Sequence, residues 1–287
     1  MREADERAEF KAFFDAISLP RIRTYQRAFG SGNDRQVLGA YLWGQAAGAA
    51  LQPFIGIAEV ALRNAIHTSL STQLSRGQSV SWPWYDQTVK GSLVLRGRTA
   101  AAFEAVLCDR HGVRLAALPS PDSVVASLSF GVWSDILASQ LPPTHVGRTF
   151  NEVFPHHPYS RRAYWSHGAS RTPVVERIKR LQRMRNRVSH SEPVWSPTML
   201  VTSKGKHWTH AVHALEACLR EFVELLGWIS PVSLEIFRKS FAQQWVARLI
   251  ATGAVEAFMR DPFGNGMLAE PQAPPRRSEV DLQPTFL

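Results

Sequence analysis

Cysteine is nearly absent: the 287 residues contain two, Cys108 and Cys218. Two thiols cannot build a disulfide scaffold or a four-cysteine zinc site. Both read as core cysteines, and the compartment this predicts is a reducing cytoplasm. Lysine is scarce as well, with six lysines against 27 arginines. Acidic residues number 24 against 33 basic ones, so the formal charge of +9 is an arginine excess. Long apolar runs are missing too. The most membrane-like stretch, residues 39–62, is dense in Ala, Gly and Leu yet carries Gln45, Gln52, Pro53 and Glu59. A spanning helix needs about 20 mostly apolar residues and avoids an unpaired carboxylate. The stretch therefore predicts two buried helices meeting near Pro53, and no membrane partner. Residues 1–9 alternate acidic and basic side chains without an apolar h-region, so no signal peptide is expected.

Strand signals are sparse. No run alternates cleanly into a Gly-Asn type turn, and residues 120–132 alone are ambiguous. What the chain has in quantity is helical spacing, within a composition that is 45% hydrophobic and can bury a core. Phe10, Phe13, Phe14 and Ile17 form a stripe before Pro20. Ile55, Ala58, Leu62 and Ile66 form a second, and Val212, Leu215, Leu219, Phe222 and Leu226 a third. Leu234, Phe237, Phe241, Trp245 and Leu249 predict a further helix, opened by Ser230 as N-cap with Pro231 after it and closed near Gly253. Loops are expected at residues 30–34, 77–83, 142–147, 155–158 and 193–206, where Pro, Gly and Ser cluster. The fold class is all-α: one helical domain over residues 1–261, then a Pro-rich tail at 262–287 predicted to be disordered.

The charge is concentrated. Residues 161–187 hold eight arginines and Lys179 against one acid, Glu176. A focused surplus is what phosphate binding requires, and arginine suits bidentate phosphate contact and base stacking. The plainer reading is a solvated helix face. Within the segment, Thr172 is a good N-cap and Pro173 a good first helical residue. Val174, Val175, Ile178, Leu181 and Val188 supply the apolar stripe, and Pro193 stops the helix near Ser191. Close to that end stands Arg185-Asn186-Arg187-Val188-Ser189-His190. Asn186 and His190 are four apart and share a face, while Arg185 lies about 140° from His190.

That trio has a chemical logic. Metal-free RNA cleavage needs a group to take the 2′-hydroxyl proton or to protonate the 5′-oxygen, and histidine titrates in the right range. Charge gathering on the phosphoryl oxygens needs a fixed cation, which Arg185 would supply. Asn186 can orient either the imidazole or the phosphate. A lone histidine at a helix end is also a common C-terminal cap, so spacing by itself leaves both readings open.

Residues 184–193, Met-Arg-Asn-Arg-Val-Ser-His-Ser-Glu-Pro, closely resemble the Abi-like (abortive infection) proteins of the HEPN superfamily. The mark of that superfamily is an Arg, a polar residue, and a His four to six residues after the Arg. Residues 59–67 (Glu-Val-Ala-Leu-Arg-Asn-Ala-Ile-His) and 128–133 (Leu-Ser-Phe-Gly-Val-Trp) look like the same family, in the same order. The resemblance implies a HEPN-like helical bundle with additional flanking helices. It implies a metal-independent endoribonuclease of bacterial defence or toxin–antitoxin type, leaving 2′,3′-cyclic phosphate and 5′-hydroxyl ends. No cofactor is implied. RNA is the implied substrate, a homodimer with a composite active site the implied assembly, and an antitoxin protein a further partner. Carried over, Arg185 and His190 match the catalytic pair and Asn186 the polar position. This sequence departs from the common form in having Ser191 where many relatives carry a second histidine. The expected phosphate contacts are Arg63, Arg177, Arg180, Arg183 and Arg187, with Glu59 and Glu192 in support. A noncatalytic RNA-binding or defence-scaffold module on the same fold is the alternative.

Other residues carry weaker signals. Glu59 and Arg63 are four apart, which predicts either an intrahelical ion pair or an arginine leaning into a cleft. His207, His210 and His213 repeat every three residues, but no carboxylate or cysteine accompanies them as zinc ligands would require. His156, His157, Tyr159, Tyr164 and Trp165 could stack bases or build a dimer interface. Trp82, Trp84 and Tyr85 read as the anchor of a loop.

Overall fold

A 41-residue helix, α3 (Asp34–Leu74), is the axis of the molecule in the computed structural model. At 1.5 Å per residue it is about 60 Å long. The structure describes residues 2–30, 33–196 and 208–264. Before α3 come α1 (Arg2–Ile17) and α2 (Leu19–Phe29). After it come α4 (Gly97–Leu107), α5 (Pro121–Ser127) and α6 (Phe130–Asp135), which runs directly into a π-helical turn at Ile136–Gln140. Then follow α7 (Pro143–Val153), α8 (Arg162–Ser166), α9 (Gly168–Ser189), α10 (Trp208–Ile229), α11 (Pro231–Lys239), α12 (Phe241–Leu249) and α13 (Thr252–Arg260). Among the described residues there is no strand, only an isolated bridge between Cys108 and Arg114. No helix among them is long and apolar enough to cross a membrane. The tail expected at 262–287 lies outside the described residues from 265 onward, as does most of the expected 193–206 loop.

Two expected helices meeting at Pro53 are in fact one, because α3 passes through Pro53 without a break. Proline removes one i→i−4 hydrogen bond, here the one to Ala49. Pro53 and Ala49 are both exposed, so the orphaned carbonyl faces water, and Phe54, Ile55, Ala58 and Leu62 stay buried around it. The residues 142–147, expected as loop, instead open α7, with Pro143 at its first turn where a missing N–H costs nothing. The ambiguous stretch 120–132 is helical at 121–127 and again from 130, with a break between.

The helix predicted over residues 231–252 divides at Ser240. Ser230 caps α11 by accepting from the Ser233 N–H, and Ser240 does the same for α12 through Gln243. The division rotates the stripe: Leu234 and Phe237 are buried, but Phe241 and Trp245 are 67% and 42% exposed. Close approach of helices rests on two glycines of α3. A side chain at Gly39 would collide with the backbone of Phe258 and Met259 in α13, and one at Gly44 with the Tyr25 hydroxyl. The apolar core is continuous from Phe10 to Val255. One pole of it is aromatic: Phe29 meets Trp195 edge-on at 4.8 Å, and Trp43 donates its indole N–H to the Leu249 carbonyl at 2.7 Å. Of the two cysteines, Cys218 is buried and Cys108 only partly so.

Candidate active site at the end of the motif helix

The helix that carries the motif is longer than its sequence signals. It begins at Gly168, not at Thr172, whose hydroxyl donates back to the Gly168 carbonyl at 3.0 Å. Pro173 is tolerated inside it on the exposed side. Val174, Val175, Ile178, Leu181 and Met184 are buried and fix which face α9 turns inward. Its far end closes in a Schellman arrangement. His190 is the C-cap, Ser191 follows in the left-handed region at φ +52°, the Ser191 N–H reaches the Val188 carbonyl at 3.2 Å, and the Glu192 N–H reaches Arg187 at 2.8 Å. Two neighbours tie this end down. Arg21 donates to the His190 carbonyl at 3.4 Å, and Gln45 donates to the Ser191 carbonyl at 3.2 Å. Pro193, Val194 and Trp195 are buried immediately after.

The backbone at His190 is therefore held while its side chain is not. The imidazole is exposed and, among the described residues, hydrogen-bonds to nothing. Asn186 is exposed one turn earlier. Arg185 is turned toward α3, where its Nε lies 3.4 Å from Glu59 Oε2; the two side chains are 36% and 16% exposed. A guanidinium has five N–H donors, and this contact uses one. The remaining donors are unspent among the described residues, which leaves them available for phosphoryl oxygens.

The arginine run does not form one face. Arg177 donates to Glu224 of α10 at 2.6 Å and stacks over the Trp228 ring at 4.5 Å. Arg180 pairs with Glu221 of the same helix. Both side chains are less than one-fifth exposed. Arg171 is bonded to the carbonyls of Trp165 and Ser166, and Lys179 to Glu176. The window 161–187 holds one acid in sequence, yet the fold brings Glu59, Glu221 and Glu224 to the same helix. Arg183 is exposed and has no carboxylate within 4 Å among the described residues. Arg187 contacts the Pro193 carbonyl at 3.1 Å and lies 3.8 Å from Glu192.

Glu59 and Arg63 do not pair with each other. Glu59 reaches across to Arg185, and Arg63 donates to the Ala126 carbonyl at the end of α5 and to Asn64. His67 of the same segment is buried. Its Nδ1 accepts from the Trp84 indole at 2.9 Å, and its Nε2 lies 3.3 Å from Ser81 Oγ and 3.5 Å from Asp122. Ser81 and Asp122 thus compete for one ring nitrogen, which is not the arrangement of a nucleophile, base and orienting acid. Burial pushes the His67 pKa below 6.5, against the opposing pull of Asp122. Trp84 and Tyr85 are buried as the loop anchor expected of them.

The third segment reaches α9 from the other side. Phe130 and Trp133 are buried. A Cβ at Gly131 would lie 3.0 Å from Gln182 Nε2, and Ser134 Oγ donates to Gln182 Oε1 at 2.6 Å. Sequence reasoning passed over Gln182, because a glutamine inside an arginine-rich helix carries no signal until its partner is known. Residues 59–67 and 128–133 thus both lead to α9: Glu59 contacts Arg185, and Ser134, just past the second stretch, bonds Gln182.

The remaining candidates lie elsewhere. His157 sits within a ring of Tyr159, Tyr164, Trp165 and Trp228, with Trp228 at 4.5 Å and Trp165 at 4.7 Å. Trp165 is fully buried, and Tyr159 is 59% exposed. His210 and His213 are exposed on α10, and His207 lies outside the described residues. Among the described residues no three His, Cys, Asp or Glu are grouped as metal ligands. Beside the end of α9 runs an open groove of about 560 Å³, floored by α3 and bordered by Ser189, Ser191 and Glu192. Comparison with protein-family models, with curated proteins and with solved structures finds no match.

Proposed function

We propose that this chain is a HEPN-like endoribonuclease of bacterial defence type that cleaves RNA by 2′-hydroxyl attack. The observation that carries the reading is the Glu59–Arg185 contact five residues before an exposed His190 on an anchored helix end. In the reaction the 2′-oxygen attacks phosphorus, the bond to the 5′-oxygen breaks, and a 2′,3′-cyclic phosphate and a 5′-hydroxyl result. His190 takes the proton from the 2′-hydroxyl or gives one to the departing 5′-oxygen. Arg185, held by Glu59, spends its remaining donors on the phosphoryl oxygens, where charge accumulates. Asn186 positions the phosphate, and Arg183 and Arg187 attract the strand. No step in this scheme calls on a metal or a cofactor. A second chain related by a two-fold axis would supply the other proton-transfer group, which makes a homodimer the working unit. An antitoxin protein is the further partner of such an enzyme, and the cytoplasm its compartment.

Purified protein incubated with total RNA in EDTA tests the reading directly. Wild type cleaves and His190→Ala does not; identical RNA profiles from the two would overturn it. One observation favours a second reading, a noncatalytic RNA-binding module. The His190 ring has no partner to orient it among the described residues, whereas catalytic bases are usually held by a third group. That module predicts RNA binding by wild type and His190→Ala alike, with cleavage by neither.

A further inference from the structure

The groove beside His190 has a chemistry of its own. Its floor is the α3 surface at Gly44, Gly48 and Ala49, with Gln45 and Gln52 beside them. Its volume of about 560 Å³ lies in the usual range for a bound small molecule or base. Ser189 and Ser191, the chain neighbours of His190 on both sides, border it. Its rim is rich in acceptors. The Glu192 carboxylate is 47% exposed and makes a long ion pair with Arg187 Nη1 at 3.8 Å, which leaves it room to accept from a ligand. Gln45 gives one amide N–H to the Ser191 carbonyl and also borders the groove. Behind the floor the buried Tyr25 hydroxyl packs against Gly44 and faces the Trp195 indole and the Gln45 amide. Burial raises the Tyr25 pKa to about 12, with the Trp195 indole and the Gln45 amide opposing part of the rise, so the group stays protonated and polar.

We infer that this groove receives one unpaired guanine of the RNA strand and that Glu192 reads its Watson–Crick edge. The inference rests on the RNA reading above. Unpaired bases are recognised by proteins on that edge, splayed out of the strand. Guanine presents two adjacent donors there, N1–H and the N2 amino group, and a carboxylate accepts both at once. Adenine and cytosine present one amino group beside a ring-nitrogen acceptor, which a carboxylate repels. Uracil flanks its single N–H with two carbonyl oxygens and is repelled twice.

The test uses His190→Ala protein, which the proposed function makes a binder that does not cut, and fluorescein-labelled uridine octamers carrying one G, one A, one C or none. Anisotropy titrations are expected to give the G octamer at least tenfold tighter binding than the others. Glu192→Gln and Ala49→Phe are both expected to bring it within twofold of the all-U strand. Glu192 and Ala49 are exposed, so neither change disturbs the core. Equal affinity for all four octamers overturns the inference. So does a G preference that survives both substitutions, which would place base reading elsewhere. So does a change in sedimentation mass on Ala49→Phe with RNA binding intact, which would make the groove a protein interface. Wild-type cleavage without G preference sinks the groove and leaves the ribonuclease standing. A Glu192-dependent G preference with no cleavage by wild type leaves the groove standing and sinks the catalysis. Failure of every octamer to bind sinks both.

Discussion

At the scale of the residue, like side chains have unlike duties. Arg177 and Arg183 are six apart on α9, but one is stacked on Trp228 and paired with Glu224 while the other is exposed. Arg183→Ala is expected to lower the salt dependence of RNA affinity by about 0.7 in log–log slope, the value of one single-strand phosphate contact. Arg177→Ala is expected to leave that slope alone and to cost about 1–3 kcal/mol of stability, read by urea denaturation. The opposite assignment of effects would mean that α10 does not neutralise the run. His67 carries a second residue-scale consequence. Its pKa is lowered from 6.5 in the fold, so between the lowered value and 6.5 the unfolded chain binds a proton that the folded chain refuses. Its contribution is therefore complete above pH 6.5 and fades as pH falls below it. His157, also lowered by burial, acts in the same direction. Asp86 is pushed up by burial yet held below 3.8 by hydrogen bonds from Thr88 and Arg114, so it matters only in stronger acid. His67→Gln is expected to flatten part of the fall in urea midpoint between pH 7.5 and pH 5; an unchanged fall would show that His67 takes its proton within the fold.

At the scale of the element, the end of α9 is the feature on which the site depends. Ser191 occupies a left-handed position that side chains other than Gly and Asn adopt at a cost. Ser191→Gly is expected to raise stability by about 1 kcal/mol in chemical denaturation, since the strain removed exceeds the added chain entropy. A loss of stability would mean that the Ser191 side chain makes a contact worth more than that strain. Much about the elements was legible in the sequence. The apolar stripes gave the all-helical class, Ser230 with Pro231 gave the start of α11, and Pro193 gave the stop of α9. The rest depended on partners remote in the chain. Nothing near Pro53 says that its lost hydrogen bond falls on the solvent side. A serine at 240 in an apolar stripe can sit within a helix or cap a new one, and packing chose the cap. Thr172 with Pro173 is a strong local start, but a helix already begun at Gly168 carries both.

At the scale of the molecule, charge has to be counted in space. The sequence places nine positive charges in residues 161–187, and α3 and α10 return three carboxylates to them. What remains exposed lies at both ends of the window, Arg161 and Arg162 before α9 and Arg183 toward His190. The Glu59–Arg185 contact spans 126 residues, which is why spacing suggested an intrahelical partner for Glu59 and the fold supplied another. α9 presents His190 and Asn186 on its exposed face, and under the proposed function a two-fold partner would complete the reaction site. The most direct measurement is the end chemistry of RNA treated in EDTA with wild type and with His190→Ala. The account predicts 2′,3′-cyclic phosphate and 5′-hydroxyl termini from wild type, and a rate lower by about 10²–10⁴-fold from the variant, the usual worth of a positioned acid or base. Equal cleavage by the two proteins, or 3′-hydroxyl and 5′-phosphate ends from wild type, would contradict it.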